Sequence, residues 1–339
     1  MRALAVFLLS FFMAGTIHGQ AAPAASAPNQ GANPNAPKEI IEQAKNAMPA
    51  PANGVLTTAD GLGLRFYFHY APPKNPNFNY AFNWASKSHL FSSIPEISGI
   101  DGLLVIPRPL HYVAMQCDTM NAFYSPKNSA IILCYEMIDY LQKIAKALSK
   151  DMDDPNTFIT EFVRDNVRFI MLHETGHAFI HMLDIPAVGR EEDSVDQLAT
   201  VLLLLGLGGQ SKHDIARVLQ LASAWFAVNS KIRSTPTASN FADEHSLDEQ
   251  RYFNILCIAY GTDPTEYQNL VKKERLPRAR AERCPTEAEK IRRSWDRLLS
   301  PHASPYWNAR MQEVANATPK KTQKKNSLEW DKKTNPFDD

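Results

Sequence analysis

The stretch between Asp154 and Pro186 imposes the strongest constraint on this 339-residue chain. Asp154-Pro155 supplies a helix N-cap and a proline at the first helical position. Apolar residues then recur at helical spacing: Phe158, Phe162, Val163, Val167, Ile170 and Met171. The run leads into His173-Glu174-Thr175-Gly176-His177, and Pro186 stops it. On a helix His173 and His177 lie one turn apart on one face, so both imidazoles can reach a single metal ion. Glu174 is offset to one side, where a carboxylate can take a proton from a water and pass it to a leaving group. That pattern points to a zinc site, one ion per chain, with His173 and His177 as ligands and Glu174 as general base.

Two histidines leave a third ligand to be found. His181 continues the stripe, but it lies two turns from His173, about 12 Å along the axis, too far to share the ion on a straight helix. Position 183 is Leu and position 180 is Ile, so the third histidine and preceding glycine of a metzincin are absent. Asp184 falls at the helix end. A second helix is expected from about Glu191 to Leu207, stopped by Gly208-Gly209. On it Glu192 and Asp196 share a face, so Glu192 can bind metal while Asp196 accepts a hydrogen bond from the other ring nitrogen of His173. Glu191 and Asp193 remain the alternatives to Glu192.

The rest of the chain supports an α+β reading. LRFYFHY (64–70), PLHYVAMQC (109–117) and SAIILCY (129–135) have strand composition, the last two read as an antiparallel pair around Ser125-Pro126-Lys127-Asn128. Further helices are expected over about 212–230, from a Ser246–Glu249 capping box to Tyr260 with Gly261 as the stop, and from a Thr286–Glu289 box onward. The expected architecture is a small mixed or antiparallel sheet followed by a helical subdomain.

At the N-terminus Met1-Arg2 precedes the apolar run ALAVFLLSFFMAGTI and then small residues, a secretory signal pattern over 1–20. Residues 21–54, rich in Ala, Pro and Asn, read as a flexible spacer, with a short helix at 38–47. The folded unit is expected over 55–318 and a disordered charged tail over 319–339. Export to the periplasm or the medium follows, with no stable membrane span once the signal is removed. It makes disulfides plausible: the expected pairs are Cys117–Cys134 and Cys257–Cys284, four buried thiols being the alternative. Lys+Arg equals Asp+Glu, so no charge bias points to nucleic acid. Oligomeric state is not legible.

HExxH followed by ExxxD resembles the gluzincin metallopeptidases, the class of thermolysin and neprilysin, which have a zincin fold and cleave peptides or proteins. Asn121-Ala-Phe-Tyr124-Ser-Pro resembles the edge strand of neprilysin-like enzymes, which implies that Asn121 and Ala122 hold the substrate main chain. Asp243-Glu-His245-Ser-Leu-Asp-Glu-Gln-Arg251 resembles their DxHS…R segment. The resemblance implies that His245 stabilises an oxyanion and Arg251 binds a substrate carbonyl. GREEDSVDQLA and DEHSLDEQRYFN also resemble a bacterial family classed as metallopeptidases by inference. The His177-to-Glu192 gap is shorter than in neprilysin and the chain is smaller, so substrate size is not implied. Two other outcomes stay open: an amidase acting on cell-wall peptides, and a zinc-binding scaffold without catalysis.

Overall fold

A computed structural model describes residues 65–304 apart from 208 and 233–235. The expected signal, spacer, 38–47 helix and charged tail lie outside the described residues. The fold is α+β, a four-stranded sheet with mostly helical surroundings. Its strands are β1 (Phe66–Tyr70), β2 (Leu110–Met115), β3 (Ala122–Ser125) and β4 (Ala130–Cys134), in the order β1-β2-β4-β3. Seven longer helices follow the chain: α1 (Asn79–Lys87), α2 (Tyr135–Leu148), α3 (Pro155–Met182), α4 (Glu191–Leu205), α5 (Lys212–Ile232), α6 (Asp248–Thr262) and α7 (Cys284–Leu299). No described helix is long and apolar enough to cross a membrane.

The sheet corrects one expectation. β2 and β4 are parallel, with Val113 opposite Ile132, not an antiparallel pair. The reason is that Ala122–Ser125 is itself a strand. Two chain reversals therefore separate β2 from β4, and the Ser125–Asn128 turn joins β3 to β4, which do run antiparallel. β3 ends up at the edge, and among the described residues no strand lies on its other side. One sheet face, carrying Tyr112, Ile131 and Leu133, joins the main core with the helices; the other gathers Val113, Met115, Ala130 and Ile132.

α3 is the central element. Asp154 caps it by accepting from Thr157 N–H at 3.1 Å, and Pro155 sits in its first turn. Every residue from Asp165 to Gly176 is buried, so the helix is wrapped on all sides. Its buried charges are paired: Arg168 bonds both oxygens of Glu96 and reaches Asp214 at 2.9 Å, while Arg217 bonds Asp165 and Asp214.

Four helix ends differ from the sequence reading. α4 stops at Leu205, because Gly206 already takes the left-handed turn at φ 61°. α6 starts at Asp248; Leu247 occupies the cap, and Gln250 Oε1 accepts from its N–H at 3.2 Å, so Ser246 and Glu249 form no box. Gly261 lies inside α6 and does not stop it. A β-carbon there would stand 2.2 Å from the Cys284 carbonyl oxygen, so glycine is required by the close approach of α7. α7 itself begins at Cys284, two residues before the expected box. The four cysteines form the pairs Cys117–Cys134 and Cys257–Cys284. The first ties the end of β2 to the end of β4, and the second ties α6 to the start of α7.

Candidate metal centre

α3 presents His173, Glu174 and His177, and α4 presents Glu192 and Asp196 across from them. A short loop joins the two helices and turns back through Asp184 (φ 51°) and Gly189 (φ 107°). α4 opens with Glu191, Glu192 and Asp193 in its first turn, where the partial positive charge of a helix start favours carboxylates. The helices approach closely at Gly176, where an added β-carbon would lie 2.8 Å from Val195.

The arrangement converges. His173 Nε2 is 3.3 Å from His177 Nε2. Glu192 places Oε2 3.1 Å from His173 Nε2 and Oε1 3.2 Å from His177 Nε2. One ligand atom from each of these three residues lies within 4.8 Å of the other two. The one other such group among the described residues joins Glu136 to Cys117 and Cys134, whose sulfurs are already bonded to each other. Each imidazole is also held from behind. His173 Nδ1 donates to Asp196 Oδ1 at 2.8 Å, and His177 Nδ1 donates to Glu191 Oε1 at 2.7 Å. Asp196 is fixed in turn by two Arg251 bonds, at 2.7 and 2.8 Å, and Arg251 stacks 4.3 Å over the Phe226 ring.

The remaining sequence candidates fall as follows. His245 sends Nε2 to 3.1 Å from Glu192 Oε2, while its Nδ1 bonds Asp243 at 3.0 Å. Its carbonyl accepts from Arg190 Nη1. Asn121 Oδ1 accepts from the Ala122 N–H at 2.9 Å, at the start of β3. Asp193 turns away, lining a small cleft against α6 with Asn254 and Ile258. His181 is exposed and shares a 3.1 Å hydrogen bond with the Tyr124 hydroxyl. Sequence reasoning missed Glu191 as the partner of His177, Asp243 as the partner of His245, and Arg251 as the anchor of Asp196. The first two were visible only as carboxylates adjoining named residues; nothing in the spacing showed which way they turn.

Charge interactions reinforce the geometry. Burial would lower the pKa of His173, but Asp196 and Glu192 outweigh it and hold it up at about 10. Burial would raise Glu192, yet the three surrounding histidines pull it far below the usual carboxylate range. Asp196 is also held low, against burial, chiefly by Arg251. Glu174 behaves differently. Burial raises it, and the neighbouring histidines and a hydrogen bond from the Tyr124 backbone offset only part of that.

These residues fit a divalent cation. Glu192 Oε2 is buried and accepts no hydrogen bond of acceptable geometry, although two imidazole nitrogens lie 3.1 Å away. An oxygen so placed is explained by a cation lying between it and the Nε2 atoms. With His173 and His177 bonded to carboxylates through Nδ1, their Nε2 atoms are left facing inward as ligands, and two imidazoles with a carboxylate form a common metal set.

Comparison with known proteins agrees on the class. Searches of curated proteins and of solved structures each found no significant match. Residues 70–299, which include β2 to β4 and the whole convergent site, match the profile of one family. The chain belongs to the family described as "Putative metallopeptidase".

Proposed function

We propose that this protein is an exported zinc-dependent peptidase of the gluzincin type. The observation that carries the reading is the buried set His173, His177 and Glu192, with Glu174 beside it and both ring Nδ1 atoms held by carboxylates. When bound there, zinc would acidify a water and polarise the substrate carbonyl. Glu174 takes the proton from the attacking water and returns it to the leaving amine. A carboxyl raised by burial suits both halves of that task. Asp196 and Arg251 keep His173 oriented. His245, backed by Asp243, offers an imidazole N–H to the developing oxyanion. Arg251, held by Asp196 through Nε and Nη2, would bind a substrate carbonyl through Nη1. The free edge of β3, with Asn121 and Ala122, lies beside α3 and suits an extended peptide added as another strand. Two disulfides suit an oxidising compartment, in keeping with the signal-like N-terminus.

The test is direct. Purified protein should hold one zinc per chain by elemental analysis and cleave members of an unbiased peptide library. Glu174→Gln should keep the zinc and lose turnover by at least about a hundredfold. Unchanged cleavage by Glu174→Gln would sink the mechanism. A second reading has one observation in its favour: His245 Nε2 lies as close to Glu192 as His173 does. If His245 completes a closed four-ligand site, the protein is a zinc-binding scaffold. X-ray absorption would then show three imidazoles on zinc, and His245→Ala would shed metal. Cleavage confined to cross-linked cell-wall peptides would instead select the amidase alternative.

A further inference from the structure

The peptidase reading gives no task to His181, the third histidine of the α3 stripe. We infer that His181 and Tyr124 form a clamp that locks the free edge of the sheet to the HExxH helix, with Tyr124 a positioning residue for Glu174 and the bound substrate strand. The inference rests on the peptidase reading for its kinetic consequence, and on geometry alone for the clamp.

Tyr124 grips α3 at two levels. Its backbone N–H lies near enough to the Glu174 carboxylate to favour its charged form, and its strand packs directly against α3. Its hydroxyl bonds His181 Nδ1 at 3.1 Å, with ring centroids 5.7 Å apart, two turns further along the same helix. Arg108 lies near the Tyr124 hydroxyl and bonds the β3–β4 turn through the Pro126 carbonyl and the Ser129 hydroxyl. The strand is thus tied to the helix at His181, one link two turns beyond the point where Tyr124 approaches Glu174.

β3 needs such a tie. It has four residues and, among the described residues, one strand neighbour, and short edge strands fray easily. Its neighbour β4 fixes it within the sheet plane, while the distance from the strand to α3 is left to side chains. That distance sets where a carbonyl carried on the strand meets Glu174. An error near 1 Å in such placement can cost about a hundredfold in rate. The clamp therefore acts on the chemical step more than on affinity, because Asn121 and Ala122 stay on the strand when the clamp is lost.

Tyr124→Phe, His181→Ala, His181→Gln and the Tyr124→Phe/His181→Ala double variant, made in the full-length protein, test this. Tyr124→Phe and His181→Ala should each lower kcat by about tenfold or more with KM within about twofold. The double variant should be no worse than the singles, since both break one link. His181→Gln, whose amide can still meet the phenol, should recover part of the rate. Melting temperatures should stay close to wild type, which a merely structural role would not predict. Hydrogen exchange reads the clamp without any substrate: amides of residues 122–125 should exchange faster in His181→Ala. Wild-type exchange in His181→Ala, or losses that add in the double variant, would overturn the clamp. Faster exchange in a protein that cleaves no peptide would keep the clamp and remove the peptidase reading.

Discussion

Gly176 and Val195 meet where the helices carrying the candidate metal ligands pack together, and a β-carbon on Gly176 would come within 2.8 Å of both Cβ and Cγ1 of Val195. Val195 lies between Glu192 and Asp196 in sequence, and Gly176 lies between His173 and His177. One contact therefore sets the spacing between the two halves of the site. Glycine costs a helix about 1 kcal/mol relative to alanine, and here the missing side chain is what lets α4 approach.

Gly176→Ala gains that helix propensity and loses the approach. The helices must part by some tenths of an ångström, and overpacking of this kind costs about 1–3 kcal/mol. The expected result is a protein no more stable than wild type, with metal affinity at least about tenfold weaker in a competitive chelator titration. The Gly176→Ala/Val195→Gly double variant, which removes both contacting atoms, should recover part of the affinity. A stabilised Gly176→Ala protein with wild-type affinity would show that the contact does not govern the site.

Asp196 is the junction of the site's hydrogen bonds, accepting from His173 on one side and twice from Arg251 on the other. Asp196→Ala should weaken metal binding about 10–100-fold while leaving the three ligands in place. Arg251→Lys keeps one charge and loses the paired geometry, so its effect should be smaller but in the same direction. Equal metal affinity in wild type and Asp196→Ala would remove Asp196 from the site.

What the sequence made legible follows from the range of the interactions. α3, with its Asp154 cap, stands out because helical period and capping are local. The facing of Glu192 and Asp196 toward His173 could be read for the same reason, one helical turn separating them. The parallel pairing of β2 with β4 could not be read, because it depends on recognising four residues, Ala122–Ser125, as a separate strand. Glu191 was visible as a candidate ligand, yet its turn toward His177 Nδ1 is decided by the conformation of the 183–190 loop. Tyr124 and His181 are 57 residues apart, and nothing local in either segment announces their bond.

Gly261 shows how a local rule misleads. Its position near the end of an apolar period suggests a helix stop, but the helix continues to Thr262 and the glycine faces the Cys284 carbonyl. Gly261→Ala should therefore destabilise the protein by about 2–4 kcal/mol in urea unfolding. The Cys257–Cys284 disulfide prevents the two helices from separating to make room. The metal site lies elsewhere, so affinity in the folded fraction should be unchanged. A Gly261→Ala protein as stable as wild type would mean that α7 is free to shift.

Acid sensitivity should arise where the middle of α3 meets α5 and Asp214 accepts from Arg168 at 2.9 Å and from Arg217 at 2.6 Å. Burial would raise the Asp214 carboxyl, but Arg168 and then Arg217 outweigh it and hold it below the usual value. A carboxyl lowered in the folded state binds its proton more readily in the unfolded chain. Its stabilisation is therefore present above an ordinary aspartate pKa of about 4 and is lost as pH falls through the folded value. Asp214→Asn should cost about 1–3 kcal/mol at pH 7 and flatten the acid limb below about pH 4. Urea unfolding at pH 7 and pH 3 checks this, because the gap between wild type and variant should narrow at the lower pH. Parallel losses at both values would place the acid sensitivity in other carboxylates.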